Sequence, residues 1–312
     1  MTDINPKKVG VIGCGFVGSA TAFSLMQSGL YNEMVLLDAD KAKAEGEALD
    51  IAHGLPHGGS MKIYAGSYDD LTNCSVVIIT AGANQKEGET RRDLASKNLA
   101  IYDKILPELS DRNYGGLLLV VSNPVDLLTY SAVKRHGFAP NRVIGSGTVL
   151  DTARLRFELS EYLSVDAKSV HAFIVGEHGD SEVAAWSSAV VAGVPLYEFC
   201  LLRGRRGDEN ILSEIASRVK NSAYDIITKK RATYYGIATA VTRICRAIVK
   251  DEKSVLPVST ISEKYDVAVG LPSIVGAQGI EMTLPLRLNI TEREDFMIGT
   301  RELSEMISAL GL

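Results

Sequence analysis

The run VGVIGCGFVGSA, residues 9–20, constrains the fold of this chain more than any other stretch. Val9–Ile12 reads as a strand, Gly13, Gly15 and Gly18 follow with GxGxxG spacing, and a helical pattern begins at once. Such glycines turn the chain tightly, and they let the backbone approach a pyrophosphate set on the N–H groups of a helix start. The next apolar run, EMVLLD, ends at Asp38, twenty positions after Gly18 (38 − 18). A carboxylate there accepts from both ribose hydroxyls of an adenosine and repels a 2′-phosphate, so NAD is expected over NADP.

The pattern around that unit extends it. Strands are expected at Val9–Ile12, Met34–Asp38, Lys62–Ala65, Val76–Ala81, Leu117–Ser122 and Arg142–Gly145. Helices are expected at Ser19–Gln27, Lys41–His53 and Leu94–Arg112. Both-face apolar strands alternating with helices imply an α/β fold, a Rossmann doubly wound parallel sheet. The second half reads differently. A helix near Thr148–Tyr162 precedes strand-like VHAFIV and AVVAGVPLYEF, then helices around Asp208–Thr228 and Gly236–Lys250. Three β-rich runs between Ser254 and Leu288 and a closing helix from about Glu292 follow. The expectation is a cofactor domain over residues 1–145 and an α+β catalytic domain over 146–312, without a linker or internal repeat.

Composition removes several classes of partner. With 312 residues, 46% hydrophobic and 23% charged, the chain can bury a sizeable core. A net charge of −5 argues against non-specific binding to nucleic acid or anionic membrane. The clump Arg203-Gly204-Arg205-Arg206 reads as exposed loop. Cys14, Cys74, Cys200 and Cys245 are far apart with no CxxC and no histidine at metal spacing, so reduced thiols and no metal are expected. The polar start MTDINPKKVGVIG is no signal peptide, and no apolar run is long enough to span a membrane. A cytoplasmic protein is expected.

Three further stretches carry chemistry. VVSNPVD puts Asn123 after a strand, at the carboxyl edge where ligands bind in such sheets. GTVLDTARLR puts Asp151 and Arg154 three apart, on one helix face. IVGEHGDSE puts His178 beside glycines on a loop after a strand. Singly, each has a plain reading: a turn residue before proline, a helix N-terminal acid, a surface histidine.

Taken together with the glycine turn, these stretches resemble the lactate/malate dehydrogenase family, and within it the L-lactate dehydrogenase branch. GFVGS, AGANQK, GETR, SNPVD, GSGTVLDTAR, GEHGDSE and ATYYGIA occur in family order over nearly the whole chain. The resemblance implies reversible reduction of pyruvate to L-lactate by NADH. His178 would be the acid/base, Asp151 would orient it and favour its charged form, and Arg154 would clamp the substrate carboxylate through two N–H···O bonds. Asn123 would donate to the carbonyl oxygen and Thr233 would line the substrate pocket. Gly13, Gly15, Phe16, Val17, Gly18, Asp38, Gly82, Ala83, Ser122, Asn123 and Ser146 would line the NAD site. Ser146 would meet the nicotinamide carboxamide.

By the same resemblance, AGANQKEGETRRDL contains the loop that folds over substrate, and Arg91 would descend onto the carbonyl to polarise it. Arg92, where relatives commonly carry an apolar residue, is expected to be solvated or salt-bridged. Glu87 replaces a common proline and leaves the open loop freer. Gln85 stands where malate dehydrogenases carry arginine, so a second substrate carboxylate would go unpaired at a cost of about 3–5 kcal/mol. That favours pyruvate over oxaloacetate; the alternative is a malate or other 2-hydroxyacid dehydrogenase. A non-catalytic NAD-binding protein would be expected to lack one of Arg91, Asp151, Arg154 or His178, and an NAD-dependent glycosidase would need metal ligands. Arg156 and His171 match the pair with which bacterial relatives bind fructose 1,6-bisphosphate between subunits. A homo-oligomer, a tetramer coupled to that effector, is therefore expected.

Overall fold

The computed structural model describes residues 3–83 and 88–312. The cofactor half runs β1 (Asn5–Ile12), α1 (Phe16–Ser28), β2 (Glu33–Leu37), α2 (Lys41–His53), β3 (Lys62–Ala65), α3 (Tyr68–Leu71), β4 (Cys74–Ile79), α4 (Arg91–Ser110), β5 (Leu117–Val120), α5 (Val125–Lys134) and β6 (Val143–Gly145). Then come α6 (Val149–Leu163), the short strands β7 (Val170–His171), β8 (Ile174–Val175), β9 (Val183–Ala184), β10 (Val190–Val191) and β11 (Val194–Pro195), and α7 (Leu196–Leu202). Helices α8 (Glu209–Lys230) and α9 (Tyr235–Val249), strands β12 (Ser254–Ser262), β13 (Val267–Gly276) and β14 (Gly279–Thr283), and α10 (Ile290–Ala309) close the chain.

The main sheet has the order β14-β13-β12-β6-β5-β4-β1-β2-β3. Its inner parallel strands carry side chains buried on both faces, which is why their sequences are apolar runs and not alternations, while β3 at the edge is only partly covered. The three strands of the second half extend the same sheet as an antiparallel meander, joined to β6 at the single pair Ser259↔Gly145. Gly145 has no room for a side chain, since a Cβ there would sit 2.6 Å from that of Ser259.

One face of the sheet is covered by α1, α2 and α9, the other by α4, α5 and α10. Helix α9 buries Val241, Ile244, Cys245 and Ile248, a helical stripe that packs on α1, where Ser24 and Thr242 also share a 2.8 Å hydrogen bond. A third apolar cluster, from Leu155, Leu159 and Leu163 to Ile215 and Val219, holds α6 and α8 against β7, β8 and β10.

Most elements lie where the sequence places them, though β1 and α1 begin earlier, at Asn5 and Phe16, and two further stretches differ. Helix α4 starts at Arg91, not Leu94, because Thr90 and Asp93 form a reciprocal capping box. AVVAGVP is a tight hairpin of β10 and β11, and LYEFCLL is α7, with Leu196 and Cys200 turned into the core. All four cysteines are free and buried. Among the described residues no helix is long and apolar enough to cross a membrane.

Candidate active site

The carboxyl ends of the parallel strands converge on the glycine turn. Gly13 has φ +100°, and a Cβ there would lie 2.5 Å from the Ala81 amide nitrogen. At Gly18 a Cβ would strike the Gly13 carbonyl oxygen at 1.8 Å, so α1 packs against the turn only because residue 18 is glycine. Gly15, the N-cap of α1, faces open space. Asp38 is turned toward this cradle: its Oδ2 accepts from the Cys14 amide at 2.6 Å and its Oδ1 from the Asp40 amide at 3.0 Å. These residues fit a dinucleotide: a bare helix start for the pyrophosphate, and a carboxylate held beside it for the ribose.

Phe16 is exposed at the mouth and stacks on Tyr234, ring centroids 5.6 Å apart. Val17 packs partly against the core. Ala83 donates its amide to Asn98 Oδ1 at 2.7 Å, and Asn98 Nδ2 donates to the Asn123 carbonyl at 2.6 Å. Asn98 thus ties the strand end that bears Gly82 and Ala83 to the one bearing Asn123, a link with no local signal in the sequence. Ser122 is buried and donates to the Ala81 carbonyl at 2.6 Å; Ser146 is buried just beyond β6. Asn123 is exposed and precedes Pro124 through a cis peptide bond. Thr233 lies half-buried between α8 and α9.

Across this edge sits a buried charge cluster. His178 Nδ1 donates to Asp151 Oδ2 at 2.6 Å, and Arg154 Nη1 donates to Asp151 Oδ1 at 2.8 Å. The Asp151 side chain is 2% exposed, those of Arg154 and His178 15% and 25%. Sequence spacing predicted the shared helix face of Asp151 and Arg154; the structure adds their direct contact and brings His178 onto the same carboxylate. Two threonines of the same stretch fix the geometry. Thr148 Oγ1 donates to the Ile174 carbonyl at 2.6 Å, and Thr152 Oγ1 accepts from the Ile174 amide at 2.8 Å, so α6 is pinned to the strand that leads into His178. Gly176 (φ +92°) and Gly270 exchange backbone hydrogen bonds, seating the His178 loop on β13.

The sequence reading missed Asp126. It is 2% exposed, accepts from the His178 backbone amide at 2.7 Å through Oδ2 and from Ser259 Oγ at 2.5 Å through Oδ1. Burial pushes its carboxyl up to about 7 against those two hydrogen bonds. The ionised Asp151 beside it holds the His178 imidazolium up to about 9, against the pull of desolvation. Burial alone would raise Asp151, yet the charges and hydrogen bonds of His178 and Arg154 hold it below the ordinary carboxylate range. Glu182 is pushed up to about 8, first by burial and then by Asp151. At neutral pH the cluster holds a charged imidazole, with no partner for its Nε2 among the described residues, next to a guanidinium. That pair can offer a proton and a carboxylate clamp to one small anion.

Arg91 also reaches this loop: Nη1 lies 3.5 Å from Glu177 Oε1, and Nη2 pairs with Asp180, which Tyr224 contacts at 3.1 Å. Arg92 points elsewhere. It is exposed to solvent, as expected, and donates to the Ala309 carbonyl at 2.7 Å, at the end of α10. The expected substrate selector Gln85, and Glu87, lie outside the described residues. Arg156 is half-buried and donates to the Ala167 carbonyl at 3.3 and 3.0 Å; burial, and then the like charge of Arg243, lowers its pKa. His171 is exposed on β7.

The chain is similar to known proteins over nearly its whole length. Residues 7–145 match the family described as lactate/malate dehydrogenase, NAD binding domain, and residues 148–310 match lactate/malate dehydrogenase, alpha/beta C-terminal domain. An L-lactate dehydrogenase of Acetivibrio thermocellus is 49% identical over 310 residues, 98% of each chain. L-lactate dehydrogenase 1 of Clostridium acetobutylicum is 47% identical, covering 97% of this chain and 98% of its own. Among solved structures, the ligand-bound minor L-lactate dehydrogenase of Enterococcus mundtii superposes with a TM-score of 0.93 at 42% identity, covering 97% of this chain and 98% of its own.

Proposed function

The chain belongs to the lactate/malate dehydrogenase family, and from that premise we propose that it interconverts pyruvate and L-lactate, with His178 as the acid/base. It is an NAD-dependent oxidoreductase. When bound, the nicotinamide supplies or takes up the hydride. Everything else falls to side chains of this chain: residues 1–145 form the NAD-binding domain, which also lends Gln85, Arg91 and Asn123 to the substrate, and 146–312 form the catalytic domain.

Arg154 pairs with the substrate carboxylate through the guanidinium edge that Asp151 leaves free. His178 Nε2 gives its proton to the keto oxygen as negative charge develops there, and takes it back from the hydroxyl in the reverse direction. Asp151 keeps the imidazole in the tautomer that allows this and stabilises its charge. Asn123 donates to the same oxygen. Arg91 leaves its acidic partners Glu177 and Asp180 as the loop closes and lends its charge to the carbonyl in a site cleared of water. Thr233 lines the methyl side, where Gln85, a neutral amide in the sequence, suits pyruvate and leaves a second carboxylate unpaired.

The observation that carries this reading is the shared carboxylate of Asp151, bound at once to His178 and Arg154. Following NADH oxidation with pyruvate, oxaloacetate and longer 2-keto acids tests it; a higher kcat/KM on oxaloacetate overturns the choice of substrate. We further propose a cytoplasmic homotetramer in which Arg156 and His171 receive fructose 1,6-bisphosphate at a subunit contact. Its support is the like-charge crowding of Arg156 by Arg243, which an incoming polyanion would relieve.

A further inference from the structure

The mechanism above makes no use of Glu182. Glu182 follows His178 on the same loop and is half-buried. Its carboxylate, an oxygen of Asp151 and a ring nitrogen of His178 all lie within 4.8 Å of one another. Asp151 has two direct cationic partners, His178 and Arg154. Among the described residues, no donor or cation makes a hydrogen bond or ion pair with the Glu182 carboxylate. The charged groups that face it are Asp151 and Arg154 on α6, His178 on its own loop and Lys220 on α8.

Two carboxylates this close, one buried and the other half-buried, do not both stay ionised at little cost; the one with better partners keeps the charge and the other keeps a proton. Asp151 has the partners. With Glu182 neutral, Asp151, His178 and Arg154 sum to one positive charge while the imidazole is protonated, the form that takes pyruvate, and to zero when it is neutral, the form that takes lactate. Ionising Glu182 lowers either sum by one.

We infer that Glu182 is a positioning residue that sets the charge of the site for its anionic ligand: protonated, it leaves Arg154 one unit of attraction for a carboxylate, and ionised, it cancels that unit. Glu182 acts through Arg154 and His178, without touching substrate, and the inference rests on the reading of those two residues given above. It predicts an effect on substrate capture at alkaline pH more than on turnover.

Lactate oxidation isolates the effect, because loss of the His178 proton favours lactate binding and so cannot imitate a rise in its KM. The experiment measures KM and kcat for L-lactate with saturating NAD+ between about pH 7 and about pH 9.5, on the full-length wild type, Glu182→Gln and Lys220→Met. The wild-type KM rises about tenfold across that range, the scale of one added like charge at short distance, while kcat changes less. In Glu182→Gln the rise is absent. In Lys220→Met, which removes a cation that favours the ionised carboxylate, it moves to higher pH. A wild-type KM that stays flat, or a rise that persists unchanged in Glu182→Gln, overturns the inference. Should the glutamine variant not fold, a rise unmoved in Lys220→Met overturns it equally. Absence of lactate oxidation at every pH would instead remove the proposed function, and this inference with it.

Discussion

Asp151 is a buried carboxylate serving two cations, and each half of that arrangement predicts a separate failure. Replacing it with asparagine removes the main influence that raises His178. The imidazolium then loses its proton at lower pH, so the part of the alkaline fall of pyruvate kcat/KM that His178 causes, expected near 9 in the wild type, moves toward neutrality. The reverse reaction, which needs the neutral ring, keeps its activity to lower pH; parallel pH profiles in the two directions check both signs. Arg154→Lys exchanges a planar fork for a point charge and loses one charge-assisted hydrogen bond, so pyruvate KM should rise about 10- to 100-fold. Titration with the carboxylate inhibitor oxamate measures that loss without turnover. At this scale the sequence was legible where partners are local. Asp151 and Arg154 are three apart, and glycines mark the His178 loop. Asp126 was not legible, because its partners lie 52 and 133 positions away and only the folded sheet brings them together.

At the scale of elements, the first turn of α4 follows the proposed substrate loop and ties its end to the body of the protein. Arg91 is its first residue, held there by the Thr90–Asp93 box, while Arg92 moors the same turn to the end of α10. Thr90→Ala removes the cap at a local cost of about 1 kcal/mol and frays the turn that aims Arg91. Pyruvate KM should rise and kcat fall together, whereas NADH affinity, read by fluorescence, stays close to wild type. Glu87→Pro tests the loop from its other side: a stiffer open state should change turnover or pyruvate KM. The box is present in the sequence as TRRD, yet apolar periodicity alone placed the helix start three residues late. Helix α2 was placed residue for residue, since Asp40 caps it and the periodic stretch behind it is long. The misread LYEFCLL shows the converse. In so short an apolar run, strand and helix periods are indistinguishable until Leu196 and Cys200 find the core.

At the scale of the molecule, the parallel sheet and its cofactor edge followed from alternating apolar runs. That β12–β14 would continue the same sheet did not, because antiparallel strands after two long helices carry no mark of the strand they join. Assembly belongs to this scale too. If Arg156 and His171 meet a bisphosphate across a subunit contact, millimolar fructose 1,6-bisphosphate should lower the pyruvate half-saturation value and shift sedimentation toward the tetramer; Arg156→Gln should abolish both responses. The sole pairing of β6 with β12 lies at Ser259, the residue whose hydroxyl secures Asp126 under the His178 amide. A chain whose halves mate one residue out of register would therefore misplace its proton donor. Every turnover is thus also a certificate that the two halves came together correctly.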